Sequence, residues 1–281
     1  MNNYRVQHPL TQTVYGDVLV ARVRKAWNKK VAIKRNHLAS ARAHLTTLVD
    51  GVSVHENAFV ERRVNCLVSR APHPNIVRLL GEFEEDGYMH LIFEYRKRGD
   101  LFTWLEKKRG KGVRLHRALR FFQQIVDGLR YLHCQGYAHR DLSLENVLLS
   151  SKRICQLTDF GLAVPLASRP QETVGKAFYM APEVQQKGLR YDPSQADMWS
   201  LGVMLYILLT GEALMAEASM NDANFRYLSQ HGVASMLHSA KGLRQDVPDH
   251  IIDLLNRLLC VSPQHRIRLH ELEQSLKAGL N

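Results

Sequence analysis

Between Tyr137 and Leu149 the chain reads Y-A-H-R-D-L-S-L-E-N-V-L-L. Asp141 is followed five residues later by Asn146, on a loop between apolar runs. A carboxylate so placed can accept a proton from an attacking hydroxyl. An amide oxygen beside it can ligate a hard cation. A second carboxylate, Asp159, follows in L-T-D-F-G at 157–161. Mg2+ prefers oxygen ligands, and one carboxylate, one amide oxygen and phosphates form a usual set. Upstream, V-A-I-K closes a strand-like run on Lys34, and downstream 181–183 read A-P-E. A base, cation ligands and an ammonium suit phosphoryl transfer.

Each motif alone is weak. A lone D-F-G is usually a turn, and a lone Asp-x-x-x-x-Asn is usually a capped loop. The weight lies in their order along one chain. No other chemistry competes. The histidines are scattered without metal spacing, and Cys66, Cys134, Cys155 and Cys260 form no C-x-x-C pair. They read as buried thiols in a reducing compartment.

These groups need elements to hold them, and the chain has two halves of different grain. Up to about Tyr95, short β-rich runs alternate with turns: Asp17 to Val23, Lys30 to Lys34 and Met89 to Glu94. One basic helical stretch, from about Ser53 to Arg70, interrupts them, with Val60, Val64, Leu67 and Val68 at helical spacing. Beyond Gly99 the pattern turns helical. Arg117 to Cys134 and Asp249 to Cys260 are amphipathic, and Asp197 to Thr210 is apolar nearly all round.

A chain of 281 residues with 45% hydrophobic and 23% charged residues is globular, neither disordered nor collagen-like. Its +11 formal charge suits anionic partners. No aromatic-interleaved basic ribbon supports nucleic acid, so Arg109 to Arg120 reads as a solvated face. The polar start gives no signal peptide. The longest apolar stretch, Trp199 to Leu209, falls well short of the roughly 20 residues a membrane span needs. A cytoplasmic protein is expected by default, with the nucleus left open; nothing sets an oligomeric state.

V-A-I-K, H-R-D-x-x-x-x-N, D-F-G and A-P-E, in that order, resemble the eukaryotic protein kinase family. The likeness extends to D-M-W-S-L-G at 197–202 and to Arg266, and covers about residues 10–276. The helical half and Met180 to Glu183 look like the calcium/calmodulin-kinase-like group of Ser/Thr kinases. The resemblance implies an α+β bilobal fold. A small antiparallel five-stranded sheet with one main helix, residues 1–95, would bind nucleotide. A larger, mainly helical lobe, residues 96–281, would carry catalysis and the protein substrate.

It also implies ATP and Mg2+ as cofactors and assigns roles. Asp141 would be the base, Asn146 and Asp159 the Mg2+ ligands, and Lys34 the contact to the α- and β-phosphates. Glu61 would pair with Lys34, with Glu56 as a rival. Phe93 would precede a hinge of Glu94, Tyr95 and Arg96, whose Glu94 carbonyl and Arg96 amide would bind adenine. Val18, Ala32 and Leu148 would sandwich the ring. His139 would stack on Phe160, Arg266 would pair with Glu183, and Asp197 would tie the catalytic loop to the central helix.

Three departures stand out. Thr11 to Val18 reads T-Q-T-V-Y-G-D-V, so Thr11 and Thr13 replace the first two phosphate-loop glycines and only Gly16 remains. Weaker nucleotide binding is expected. Ser143 stands where such kinases place a lysine, and Lys176 where they place a threonine. The two changes are reciprocal, so Lys176 is expected to supply the lost charge beside Asp141, partnered by Ser143. Arg140 marks activation by a phosphate on the activation segment. Glu172 could mimic that phosphate, or Thr173 or Ser168 could receive it.

Ser143, Leu144 and Glu145 argue for Ser/Thr over Tyr acceptors, and Asp100 and Glu145 for a mild basic preference before the phosphosite. Lys34, Asp141, Asn146 and Asp159 are all present, so an active enzyme is favoured over a pseudokinase scaffold. A small-molecule phosphotransferase would lack A-P-E.

Overall fold

The computed structural model describes residues 1, 3–43, 47–49, 52–54 and 56–279. Strands β1 (Tyr4–Thr13), β2 (Gly16–Val23) and β3 (Ala26–His37) form consecutive hairpins. Helix α1 (Leu38–Arg42), strands β4 (Thr47–Val49) and β5 (Val52–Val54), and helix α2 (Ala58–Val68) follow. Strands β6 (Leu79–Glu85) and β7 (Tyr88–Glu94) complete a five-stranded antiparallel sheet in the order β1-β2-β3-β7-β6.

Register decides what faces the cleft. Val18 pairs with Lys34, Ala32 with Phe93, and Lys34 with Leu91. Side chains two apart share a sheet face, so Ala32 and Lys34 point the same way. The runs expected at 17–23, 30–34 and 89–94 lie inside longer strands. Strand β1 was not expected from the sequence: it is mostly exposed, and its weak alternation of Tyr4, Val6 and Leu10 is interrupted by His8 and Pro9.

The helix expected from Ser53 starts later. Ser53 lies in β5, paired with Leu48. Asn57 Oδ1 accepts the Phe59 and Val60 N–H groups, both at 3.0 Å, and this cap sets the first turn at Ala58. From there the expected spacing holds. Val64 and Val68 are buried, and Glu61 shares their inward side.

The larger lobe begins with α3 (Leu101–Glu106) and α4 (Leu115–Cys134). Short strands β8 (Tyr137–Ala138), β9 (Val147–Leu149), β10 (Cys155–Leu157) and β11 (Val164–Pro165) follow. The lobe is completed by α5 (Pro182–Gln185), α6 (Pro193–Thr210), α7 (Ala223–Ser239), α8 (Asp249–Leu258) and α9 (Leu269–Gly279). Helix α6 is buried on every side, which explains its all-round apolar sequence. Asp192 caps its start on Ser194, with Pro193 in the first turn.

Leu129 and Leu132 of α4, Trp199 and Leu201 of α6 and Leu258 of α8 belong to one continuous core. That core also contains Leu142, Leu144 and Phe160, so the loops bearing Asp141 and Asp159 are anchored in it. The paired β9–β10 and β8–β11 strands bracket those loops. No helix among the described residues is long and apolar enough to cross a membrane.

Candidate active site

A cleft of about 920 Å³ opens between the sheet and the helical lobe. Val18, Ala32, Phe93 and Leu148 contribute apolar walls. Glu94 and Arg96 line its edge, Thr11 and Thr13 its roof, and Lys34, Glu61, Asn146 and Asp159 its deep end. Gly16, expected at the phosphates, is not among the lining residues. A Cβ there would come within 2.2 Å of the Arg35 carbonyl oxygen, so tight packing on β3 accounts for this glycine.

Lys34 Nζ lies 2.8 Å from Glu61, 2.9 Å from Glu56 and 3.2 Å from Asp159. Both rival glutamates therefore hold it. Burial works against the ammonium, but Asp159, Glu61 and Glu56 outweigh it and keep the Lys34 pKa well above the usual lysine value. Three carboxylates share one ammonium, and the most enclosed of them carries the excess. Burial pushes Glu61 up to about 8 against the pull of Lys34, and its Oε2 is buried without a partner. At Asp159 burial is outweighed by Lys34, and the carboxyl stays below its usual range. Oxygens of Glu56, Glu61 and Asp159 lie within 4.8 Å of one another, and the Lys34 ammonium is the cation they surround.

Asn146 donates its amide to the Asp141 carbonyl at 2.8 Å and to Asp141 Oδ2 at 2.7 Å. That directs the nitrogen end at Asp141 and leaves the oxygen end for a cation. Asp159 gives one oxygen to Lys34, and its side chain is 39% exposed in the cleft. One charged and one neutral hard oxygen fit Mg2+ together with phosphates. Oδ1 of Asp141 is buried with no protein partner, an acceptor in want of a donor.

Lys176 Nζ lies 3.0 Å from Asp141 Oδ2 and 3.1 Å from Ser143 Oγ. Burial would lower its pKa, but Asp141, then Glu145 and Asp159, raise it above the ordinary value, so the ammonium is charged. A 3-10 turn over Ala177–Tyr179 begins directly after Lys176.

The loop is held from below. Asp197 accepts the main-chain N–H groups of His139 and Arg140, both at 2.9 Å, and meets His133 Nε2 at 2.8 Å. His133 is thus also a partner of Asp197. Arg140 and Asp159 both have left-handed backbones, at φ 65° each. For residues other than glycine this costs of the order of 1 kcal/mol or more each, which the surrounding contacts must offset. His139 and Phe160 meet edge to face at 5.4 Å. Arg266 forks onto Glu183 at 2.6 and 2.9 Å.

Arg140 also reaches Glu172 at 3.1 Å. Tyr191, which the sequence did not single out, joins the pair: Arg140 donates to its hydroxyl at 2.9 Å, and the hydroxyl donates to the Glu172 carbonyl at 3.1 Å. Asp100 caps α3, taking the Thr103 N–H and hydroxyl at 2.6 and 2.9 Å, and also lines the cleft. Glu145 lines both the cleft and a smaller apolar pocket of about 410 Å³ beside Phe102, Leu105 and Phe178. Another groove, about 1000 Å³ and lined by Glu183, Arg190 and Arg268, is bordered by none of Lys34, Asp141 and Asp159.

Residues 4–276 match the protein kinase domain. Over 221 residues, 76% of this chain and 24% of the relative, it is 36% identical to a probable serine/threonine-protein kinase of Dictyostelium discoideum. It is 35% identical over 220 residues to the serine/threonine-protein kinase GIN4 of Saccharomyces cerevisiae, covering 76% of the chain and 18% of the relative. It is 32% identical over 247 residues to the serine/threonine-protein kinase PLK4 of Nematostella vectensis, covering 83% and 23%. The chain therefore spans a quarter or less of the length of these relatives.

Proposed function

The chain belongs to the protein kinase family, and from that premise we propose that it transfers the γ-phosphate of ATP to serine or threonine hydroxyls of proteins. Members of this family use ATP and Mg2+. One observation carries the proposal: Lys34, Asn146 and Asp159 line one interlobe cleft, and Asn146 bonds the Asp141 carboxylate beside it. That intact set argues against a scaffold. The likeness to the calcium/calmodulin-kinase-like group belongs to the same proposal.

In this reading the adenine lies between Val18 and Ala32 above and Leu148 below, against the backbone of Glu94 and Arg96. Phe93 closes the back of the cleft. Lys34, kept charged by its carboxylates, holds the α- and β-phosphates. Asn146 and Asp159 would hold Mg2+, which when bound neutralises charge on the phosphates. Asp141 accepts the proton of the attacking hydroxyl. Its Oδ2 is held in place by Asn146 and Lys176.

Lys176 takes the part of the missing catalytic-loop lysine. Its ammonium is fixed by Asp141 and Ser143 beside the path of the transferred group. A preorganised cation there stabilises charge that develops in the transition state. Glu172 stands in for an activating phosphate at Arg140, which supports activity without an upstream kinase. Glu145, in the pocket with Phe102 and Phe178, supports a mild preference for basic residues before the phosphosite.

The test is transfer of labelled phosphate from Mg-ATP to the protein itself and to a basic peptide pool, with Asp141→Asn in parallel. Transfer by the wild type alone is expected. Transfer by neither protein, with Glu172 intact and the fold verified, would refute the enzyme in favour of the scaffold.

A further inference from the structure

The tip of the β1–β2 hairpin is built into the small lobe. Strand pairing runs to Thr13 opposite Gly16, so only Val14 and Tyr15 form the turn. Tyr15 is 4% exposed and belongs to the same buried cluster as Leu38, Ala58, Met89 and Leu91. Its carbonyl accepts the His37 N–H at 2.8 Å, and its hydroxyl donates to the Glu56 carbonyl. Next to the tip, Arg35 forks onto Asp17 at 2.7 and 2.6 Å.

From Glu56 the connection continues inward. The Glu56 carboxylate bonds Lys34, and its stem leaves no room for a side chain at Gly161, where a Cβ would lie 2.4 Å from Glu56 Cγ. The N–H of Asn57 donates to the Gly161 carbonyl at 2.8 Å. One unbroken chain of contacts thus runs from the hairpin tip to Lys34 and to the segment carrying Asp159.

We propose that Tyr15 is a positioning residue that clamps the hairpin tip to Glu56, and through Glu56 sets Lys34, so that the hairpin is a rigid wall over the phosphates. The clamp stands on the contacts alone, while its effect on nucleotide rests on the kinase reading above. A glycine-rich flap must lose backbone freedom each time it closes on a ligand. Here β-branched Thr11 and Thr13 suit the short ladder that pairs Thr11–Thr13 with Gly16–Val18 beyond a register shift at Pro9, and the buried ring fixes its end. The ordering cost is met at folding, and binding starts from a preorganised site. The threonines are then parts of a stiff hairpin rather than marks of decay.

Hydrogen exchange of the whole chain, with and without Mg-ADP, tests this. Amides of residues 11–18 should be protected in the free protein, and Mg-ADP should change their exchange by less than about twofold. Tyr15→Phe keeps the ring and removes the hydroxyl. It should speed hairpin exchange by about tenfold in the free protein and make protection depend on Mg-ADP. The ATP KM should rise about fivefold, more than kcat falls, and Glu56→Gln added to it should cost little further, because both changes act on one contact chain. Amides of α6 are the internal reference for global stability. A wild-type hairpin that exchanges freely until Mg-ADP is added, or a Tyr15→Phe protein identical to wild type, would overturn the proposal. If a melting-shift control shows no Mg-ADP binding, the kinase reading fails, and the free-protein exchange of wild type and Tyr15→Phe still decides the clamp.

Discussion

The Lys176 ammonium bridges Asp141 Oδ2 at 3.0 Å and Ser143 Oγ at 3.1 Å, so a cation from the activation segment sits beside the proposed base. Losing one preorganised donor to a developing anion commonly costs about 100- to 1000-fold in kcat. Lys176→Ala should fall in that range, with the ATP KM changed much less. The reciprocal double change, Ser143→Lys with Lys176→Thr, should recover part of the loss by returning the cation to the catalytic loop. Steady-state kinetics of the three proteins decide it. A loss of about threefold or less in Lys176→Ala would mean the ammonium is a bystander.

Arg140 bonds both Glu172 and Tyr191, and in the proposed reading this contact takes the place of an activating phosphate. Phosphatase-treated protein should therefore keep its activity. Glu172→Ala should lose several-fold in kcat/KM, and Tyr191→Phe less, since the Glu172 carboxylate still reaches Arg140. Activity that vanishes with phosphatase and returns with phosphate on Thr173 would assign the switch to that residue instead.

The chemistry was legible in sequence because it is local. Asp141, Asn146 and Asp159 lie on short loops, and the core residues Leu142, Leu144 and Phe160 anchor those loops in the expected order. The Lys176–Ser143 exchange was legible because two substitutions complement each other in charge. Elsewhere tertiary structure decided. Helical spacing favoured Glu61, but Glu56 lies before the helix, where no periodicity applies, and reaches Lys34 equally well. Tyr15 lies in the two-residue turn with Val14, where no periodicity applies, and only its packing with Leu38, Ala58, Met89 and Leu91 shows that its ring points inward.

Arg266 is fully buried and forks onto Glu183 while also donating to the Gln195 and Cys260 carbonyls. Removing one partner of such a pair strands the other charge. Arg266→Ala should destabilise the large lobe by about 3–5 kcal/mol. Urea unfolding would show a lowered midpoint at unchanged slope. Arg266→Met paired with Glu183→Leu should lose much less, because neither charge is then left alone.

Glu61 should give the fold a distinctive pH dependence. Burial raises its carboxyl from an ordinary 4.5 to about 8, so folding favours the neutral form. A raised acid contributes stability that is complete below about 4.5 and lost as pH climbs through 8. Asp159 behaves oppositely: its carboxyl is lowered from 3.8, so its contribution is present above that value and lost in acid. The Lys34 ammonium, held above its ordinary 10.5, stays charged across the whole window. Glu61 is therefore the member of this cluster that titrates between 4.5 and 8. Glu61→Gln mimics the neutral acid at every pH. The melting temperature of this variant relative to wild type should rise steadily from pH 5 to pH 8, since every other group is common to both proteins and cancels. A difference that is flat or falls with pH would mean that Lys34 fully neutralises the Glu61 charge in the folded protein.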